Sequence, residues 1–491
     1  MRAYLVSSIA VTCAAALALP LTVATQAAGA GPGVAAPAAE PAVVAAPAAA
    51  PETAAAPAAV PDSAVAGSTQ SLPLEPLGPD RPWGRSFAAA GSAAAQGLGR
   101  RDVRPFSLLG VVWDDARAPL HGTVEVRTRS AADGAWSDWQ DVETHNDEHG
   151  ADPGSAEARS RALHGSTAPL WVGDSDGVEV RVRPERHEGT DAPLPSGLRL
   201  ELVDPGPEPA PGAPGAWGAP GRRATAVAWS PQAAQAAPAA PEQAEAARAN
   251  AGLAPLGAAV IPALTRDQTL AELRAGAGAT TTRAVAAKPY IGPRPKIITR
   301  KGWGADEKMR EKGFVYTKTI KAVFVHHSAT GNRYTCKQAP SVLRSIYRYH
   351  VKSSGWRDLG YNFAVDKCGN IYEGRAGGVA KPVMGAHTLG FNTDSMGIAV
   401  LGTYGTTSPP AAALTAIARL TAWKLGLHGV NPKAKTYLTS GGGNLYKKGR
   451  KVRFNVIAGH RDGFATECPG GRLYNKLGTA RSASAKYQGR R

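Results

Sequence analysis

Two periodicities divide the chain. Residues 123–129, 178–183 and 198–203 alternate apolar and charged side chains with period two. That is the pattern of strands with one face on a core and the other on water. Residues 107–113 form a continuous apolar run, and turn-rich spacers at 132–134 and 173–177 separate these segments. No helical period competes with the alternation, so residues 76–205 are predicted to form an antiparallel β-sandwich. Trp136, Trp139 and Trp171 read as core or rim aromatics of that sandwich rather than as a platform for sugar rings. His121, His145, His149, His164 and His187 show no ligand spacing and read as ordinary surface or core residues.

From residue 293 the pattern changes. Residues 321–328 form an apolar run ending in the pair His326-His327. Residues 340–350 place Val342, Leu343, Ile346 and His350 on one helical face, with Pro340 in the first turn. Residues 361–366, 371–373, 396–401 and 455–460 read as strands, and 411–425 and 472–477 as helices. Strands mixed with helices over 293–480 predict an α/β or α+β domain around one sheet, taken as α/β with a mixed central sheet flanked by helices.

Composition bounds what lies between. The chain has 491 residues with 56 Gly and 39 Pro, and Ala/Pro runs fill 31–75 and much of 206–292. Such segments bury too little apolar surface to offset chain entropy, and both are expected to be disordered. One short helix is predicted at 265–275. Residues 1–30 combine Arg2, an apolar run and Ala28-Gly29-Ala30, the make-up of a secretory signal peptide. No second run is long enough to span a membrane. The expectation is a secreted, cell-wall-associated monomer ending in a frayed basic tail, 481–491.

Charge sharpens this. From Ile291 onward there are 34 Lys and Arg against 9 Asp and Glu, while the preceding part is net acidic. A basic half favours polyanions. Export and the lack of interleaved aromatic and basic residues argue against nucleic acid and for anionic cell-wall polymers.

The chemistry-bearing residues cluster in type. Outside the signal segment three cysteines remain, Cys336, Cys368 and Cys468. An odd count is met by one disulfide, Cys336–Cys368, and one metal thiolate. Cys468 follows the run that ends in His460, and His and Cys are both zinc ligands. A third ligand is available at His326 or His327, only one of which can face the metal, because strand side chains alternate. Three protein ligands with one open position is the catalytic zinc arrangement, in which bound water becomes acidic enough to ionise near neutral pH.

Several segments together carry a resemblance. They are Val325-His326-His327-Ser328-Ala329, Gly355-Trp-Arg-Asp-Leu-Gly-Tyr361, Tyr372-Glu-Gly-Arg375, Gly385-Ala-His387-Thr-Leu-Gly-Phe-Asn392 and Gly459-His460-Arg-Asp, followed by Cys468-Pro-Gly. In this order they resemble the peptidoglycan recognition protein family, whose members include zinc-dependent N-acetylmuramoyl-L-alanine amidases of type 2. The resemblance implies that Zn2+ is held by His326, His460 and Cys468. It gives Tyr361 the task of stabilising the oxyanion, with Thr466 at a position where some relatives carry lysine. It places His387, Asn392 and Arg375 in the groove for a muramyl peptide. The function it implies is hydrolysis of the amide between the muramic acid lactyl group and L-Ala; the alternative is a receptor that binds peptidoglycan without cleaving it. His327, His350 and His428 are expected to have structural roles only.

Overall fold

The computed structural model describes residues 66–77, 95–208 apart from 145, 147, 148 and 161, 241–276 and 289–491. The segment read as a signal peptide and most of the first Ala/Pro-rich stretch lie outside these residues.

The N-terminal domain is built on strands β1 (Ser68–Pro73), β2 (Gln96–Trp113), β3 (Gly122–Ser130), β4 (Gln140–Val142), β5 (Leu170–Pro184) and β6 (Arg199–Asp204). They pair antiparallel in the order β1-β6-β2-β5-β3-β4. The alternation in the sequence is the burial pattern: Val124 and Val126 of β3, and Val178, Val180 and Val182 of β5, are all buried in one apolar cluster. Register shifts break the β2–β5 pairing between Leu98 and Leu108, and such bulges bend a strand. Trp136 and Trp139 are half-buried under Arg100, Arg127 and Arg181, with the Arg181 guanidinium 4.0 Å from the Trp139 ring. Trp171 is buried.

Ordered structure starts earlier than the composition suggests. β1 lies inside the segment expected to be disordered, 31–75, because Gln70 anchors it by bonding both the carbonyl and the N–H of Arg104. A polar residue anchored on backbone groups leaves no apolar alternation to read.

The stretch expected to be linker, 206–292, also folds in part. It contains α1 (Pro241–Ala249), β7 (Val260–Ile261) and α2 (Arg266–Gly276), the last where a helix was predicted. After them come β8 (Ile297–Ile298), α3 (Arg300–Trp303), β9 (Ala322–His327), α4 (Ala339–Arg348), β10 (Phe363–Val365), β11 (Ile371–Glu373), β12 (Ser395–Val400) and α5 (Ala411–Leu427). The chain closes with β13 (Lys435–Thr439), β14 (Lys451–Asn455), β15 (Ile457–Gly459), α6 (Gly471–Tyr474) and α7 (Leu477–Tyr487). The central sheet runs β7-β8-β11-β10-β12-β9-β15, and β13 and β14 form a separate hairpin. β9 lies between two parallel neighbours and is buried along its whole length, as a two-sided sheet requires. Val323 and Val325 of β9 pack with Ile417 and Leu420 of α5 and Leu477 of α7, while α4 covers another part of the sheet.

The basic tail is not frayed. α7 packs on α5: Thr421 donates to Ser484 at 2.9 Å, Gln488 to the Ala422 carbonyl at 3.0 Å and Arg481 to the Ile457 carbonyl at 2.8 Å. After Leu477 its buried face is Ala480, Ser484 and Ala485, too small and too polar to extend an apolar stripe into the tail. Cys336 and Cys368 are paired, with their Cα atoms 6.1 Å apart.

The two domains share a core. Leu108, Val112, Trp171 and Val203 of the sandwich belong to the same buried cluster as Val342, Leu343 and Ile346 of α4. Tyr349, just past α4, donates its hydroxyl to the Thr167 carbonyl at 3.1 Å. Ser353 donates to Glu201 at 3.0 Å, and Arg348 to the Thr69 hydroxyl at 3.0 Å.

Candidate metal centre and groove

β9 and β15 are parallel neighbours with Val325 opposite Gly459. The next residue on each strand is a histidine, so His326 and His460 emerge side by side at the same sheet end, ring centroids 4.4 Å apart. Alternation turns His327 to the other face, where its Nδ1 accepts from the Tyr404 N–H at 3.3 Å. After His460 the chain makes a 3-10 turn held by Asp462, which accepts from the Gly459 N–H at 2.9 Å and from the Tyr474 hydroxyl at 2.6 Å. The loop then returns Cys468, whose Sγ lies 3.7 Å from His326 Nδ1 and whose carbonyl accepts from the Arg461 N–H. Gly470, with φ +86°, lets the Pro-Gly-Gly turn press against the Tyr404 backbone; a Cβ there would sit 2.3 Å from the Tyr404 carbonyl carbon.

A fourth donor comes from the other domain. His149 belongs to the segment between β4 and β5, and its ring lies 4.6 Å from that of His460 and 5.3 Å from that of His326. Donor atoms of His149, His326, His460 and Cys468 all lie within 4.8 Å of one another. Ligands about 2.0–2.3 Å from a tetrahedral zinc stand roughly 3.3–3.8 Å apart, so the donor set fits that ion with a small contraction. Protonation state fits as well. Burial, then the neighbouring His460, holds His326 well below the usual histidine range, and burial pushes His149 down to about 3. Both imidazoles are therefore neutral near pH 7, as ligands must be. His149, read from the sequence as an ordinary surface or core histidine, stands beside the three expected ligands as a further candidate donor.

The other predicted residues surround the cluster. Tyr361 is 5% exposed, its ring 5.4 Å from His326 and 5.7 Å from His149. Thr466 accepts from the Cys468 N–H at 3.0 Å, which ties it to the loop carrying the thiol. His387 is fully buried beside His326 because Gly397 leaves room for its ring; a Cβ there would lie 2.4 Å from His387 Cγ. His350 is a buried structural residue, stacked on Trp356 and accepting from the Gly360 N–H, and the Nδ1 of His428 lies 3.1 Å from the Thr319 hydroxyl.

Asn392 and Arg375 already hold partners from the sandwich domain. Asn392 accepts the N–H groups of His387 and Thr388 and donates to Asp152 at 2.7 Å and to the Gly150 carbonyl at 2.8 Å. Arg375 makes a bidentate pair with Glu157 at 2.8 and 2.9 Å, both residues buried. Burial raises the Glu157 carboxyl, but Arg375 outweighs it and the net direction is downward. Sequence reasoning missed Asp152 and Glu157. The available signal was a segment crowded with His, Asp and Glu, 143–160, between two strands of an otherwise turn-linked sandwich.

A galactose-binding-like domain docked on a mixed-sheet domain of the amidase type is the class that fold and site define. Residues 46–216 match the family described as Rv3811 N-terminal galactose-binding domain-like, and residues 316–471 match N-acetylmuramoyl-L-alanine amidase. Peptidoglycan-recognition protein SC2 of Drosophila melanogaster is 33% identical over 184 residues, 37% of this chain and 85% of that protein. The N-acetylmuramoyl-L-alanine amidase of Homo sapiens is 29% identical over 217 residues, 43% of this chain but 32% of that protein. Among solved structures, wild-type Drosophila PGRP-LB aligns with 28% identity over 37% of this chain and 92% of that one, with a TM-score of 0.30. The chain belongs to the peptidoglycan-recognition protein family, and its function is one of peptidoglycan binding or amide hydrolysis. Among the described residues no helix is long and apolar enough to cross a membrane.

Proposed function

We propose that the protein is an exported, zinc-dependent N-acetylmuramoyl-L-alanine amidase that cleaves the bond between the muramic acid lactyl group and the L-Ala of the stem peptide. The observation that carries this reading is the convergence of His326, His460 and Cys468 at one sheet end, with Tyr361 beside them. A bound zinc ion supplies an acidified water and an electrophile for the scissile carbonyl. The protein's own part is to hold and exclude. The Thr388 hydroxyl, 3.4 Å from His326 Nε2, holds that ring and leaves Nδ1, 3.7 Å from Cys468 Sγ, as the nitrogen that would ligate zinc. The Tyr361 phenol, its ring 5.4 Å from that of His326, supplies a donor for an oxygen that gains charge, without competing as a ligand. Arg375 presents a buried guanidinium suited to a peptide carboxylate. The basic balance of this half attracts anionic wall polymers and predicts wall binding that weakens as salt rises.

The test is release of new L-alanyl amino termini from muramyl peptides, with zinc content measured alongside. His460→Ala and Cys468→Ser are expected to lose bound zinc and at least about 99% of the rate, as for removal of a group that stabilises the transition state. Variants that retain the parental rate would sink the zinc mechanism.

A further inference from the structure

The side chains assigned above to the substrate already hold partners from the protein itself. His149 stands among the three metal-binding side chains. Three residues on, the Asp152 carboxylate accepts from the Gly390 N–H at 2.9 Å, the Asn392 N–H at 3.2 Å and the Asn392 amide at 2.7 Å. Five residues further, Glu157 takes both guanidinium nitrogens of Arg375 and the Arg357 N–H at 3.3 Å. Two carboxylates and one imidazole thus sit on the donors and the metal site that a peptide substrate needs, along a single stretch of chain.

We propose that residues 149–160 keep the enzyme latent, with His149 as fourth ligand in the position water needs and Asp152 and Glu157 standing in for the carboxylates of an anionic peptide. This rests on the zinc reading above. A site with four protein ligands has the closed coordination of structural zinc, whereas turnover requires one position open. Opening falls to this segment rather than to the whole domain. The sandwich is fixed to α4 by a buried apolar cluster and by Tyr349, whereas the segment is held in the groove by the polar contacts just named. A protease cut in it, or a substrate strong enough to displace it, frees the metal position without undocking the domain.

Cobalt substitution reads the coordination directly. In the full chain, cobalt is expected to show a four-ligand spectrum that azide does not shift. His149→Ala is expected to become azide-sensitive, to bind zinc roughly 10-fold or more weakly in chelator competition, and to release L-alanyl termini at least about tenfold faster, because a larger fraction is competent. The double variant Asp152→Ala/Glu157→Ala keeps all four donors but unties the segment. It is expected to gain azide sensitivity and rate with little loss of zinc affinity. Equal azide shifts and equal rates in parent and both variants would overturn the latency. If no form takes up cobalt or zinc, the metal reading itself falls, and the latency with it.

Discussion

Thr388 shows how much of a candidate metal centre is decided one residue behind it. Its hydroxyl is fully buried and meets both His326 Nε2 at 3.4 Å and His387 Nδ1 at 3.0 Å. It fixes two ring orientations at once. Thr388→Val keeps the shape and removes the hydroxyl, leaving His387 Nδ1 without that partner at a cost of about 1–3 kcal/mol. Zinc affinity is expected to fall about 10- to 100-fold, as for other groups that orient a ligating histidine. Chelator competition checks this, and an unchanged dissociation constant would contradict it. His326, His460 and Cys468 were legible because ligand-type residues end or follow apolar runs, and strand alternation chose between His326 and His327. His149 was not legible. Its meaning comes from a neighbour in another domain, and no spacing within its own segment encodes that distance. The same holds for Arg375: nothing in its own stretch of sequence named Glu157 as its partner.

At the scale of elements, period-two and apolar-run signals located the strands that build both sheets. They failed where packing relies on small or polar residues: β1, α1 and α7. α5 shows the opposite case, a helix easily seen whose sequence conceals a buried charge. Lys424 is 2% exposed and donates to the carbonyls of Val379 at 2.6 Å and Lys381 at 2.7 Å. Burial pushes its pKa from 10.5 down to about 7. Between those values the unfolded chain binds the proton and the folded chain does not, so stability rises with pH across that window. Below about pH 7 both states are protonated, and the full penalty of the buried charge applies. Lys424→Met removes the titration, although the two carbonyls lose their donor. The gain in urea-unfolding stability from pH 7 to pH 10 is therefore expected to be smaller in the variant than in the parent. Parallel pH profiles would show that the lysine stays charged when buried.

At the scale of the whole molecule, two domains read from the sequence as beads on disordered linkers behave as one body, because sandwich and α4 share an apolar cluster. All described residues fall in one compact unit, 59–491. Shared burial of this kind predicts cooperative unfolding of both domains together. One close approach is at Gly110 of β2, where an added Cβ would lie 2.3 Å from the Tyr349 hydroxyl oxygen. Gly110 lies in a paired strand opposite Glu201, a setting that tolerates valine in its backbone. Gly110→Val therefore strains the interface and not the strand, by about 1–3 kcal/mol as for other overpacked contacts. Calorimetry of the parent is expected to show a single transition. In the variant, the sandwich and the amidase-type domain are expected to unfold in two separate transitions. A variant that still melts in one transition at the parental temperature would mean that the domains are joined by something other than this contact.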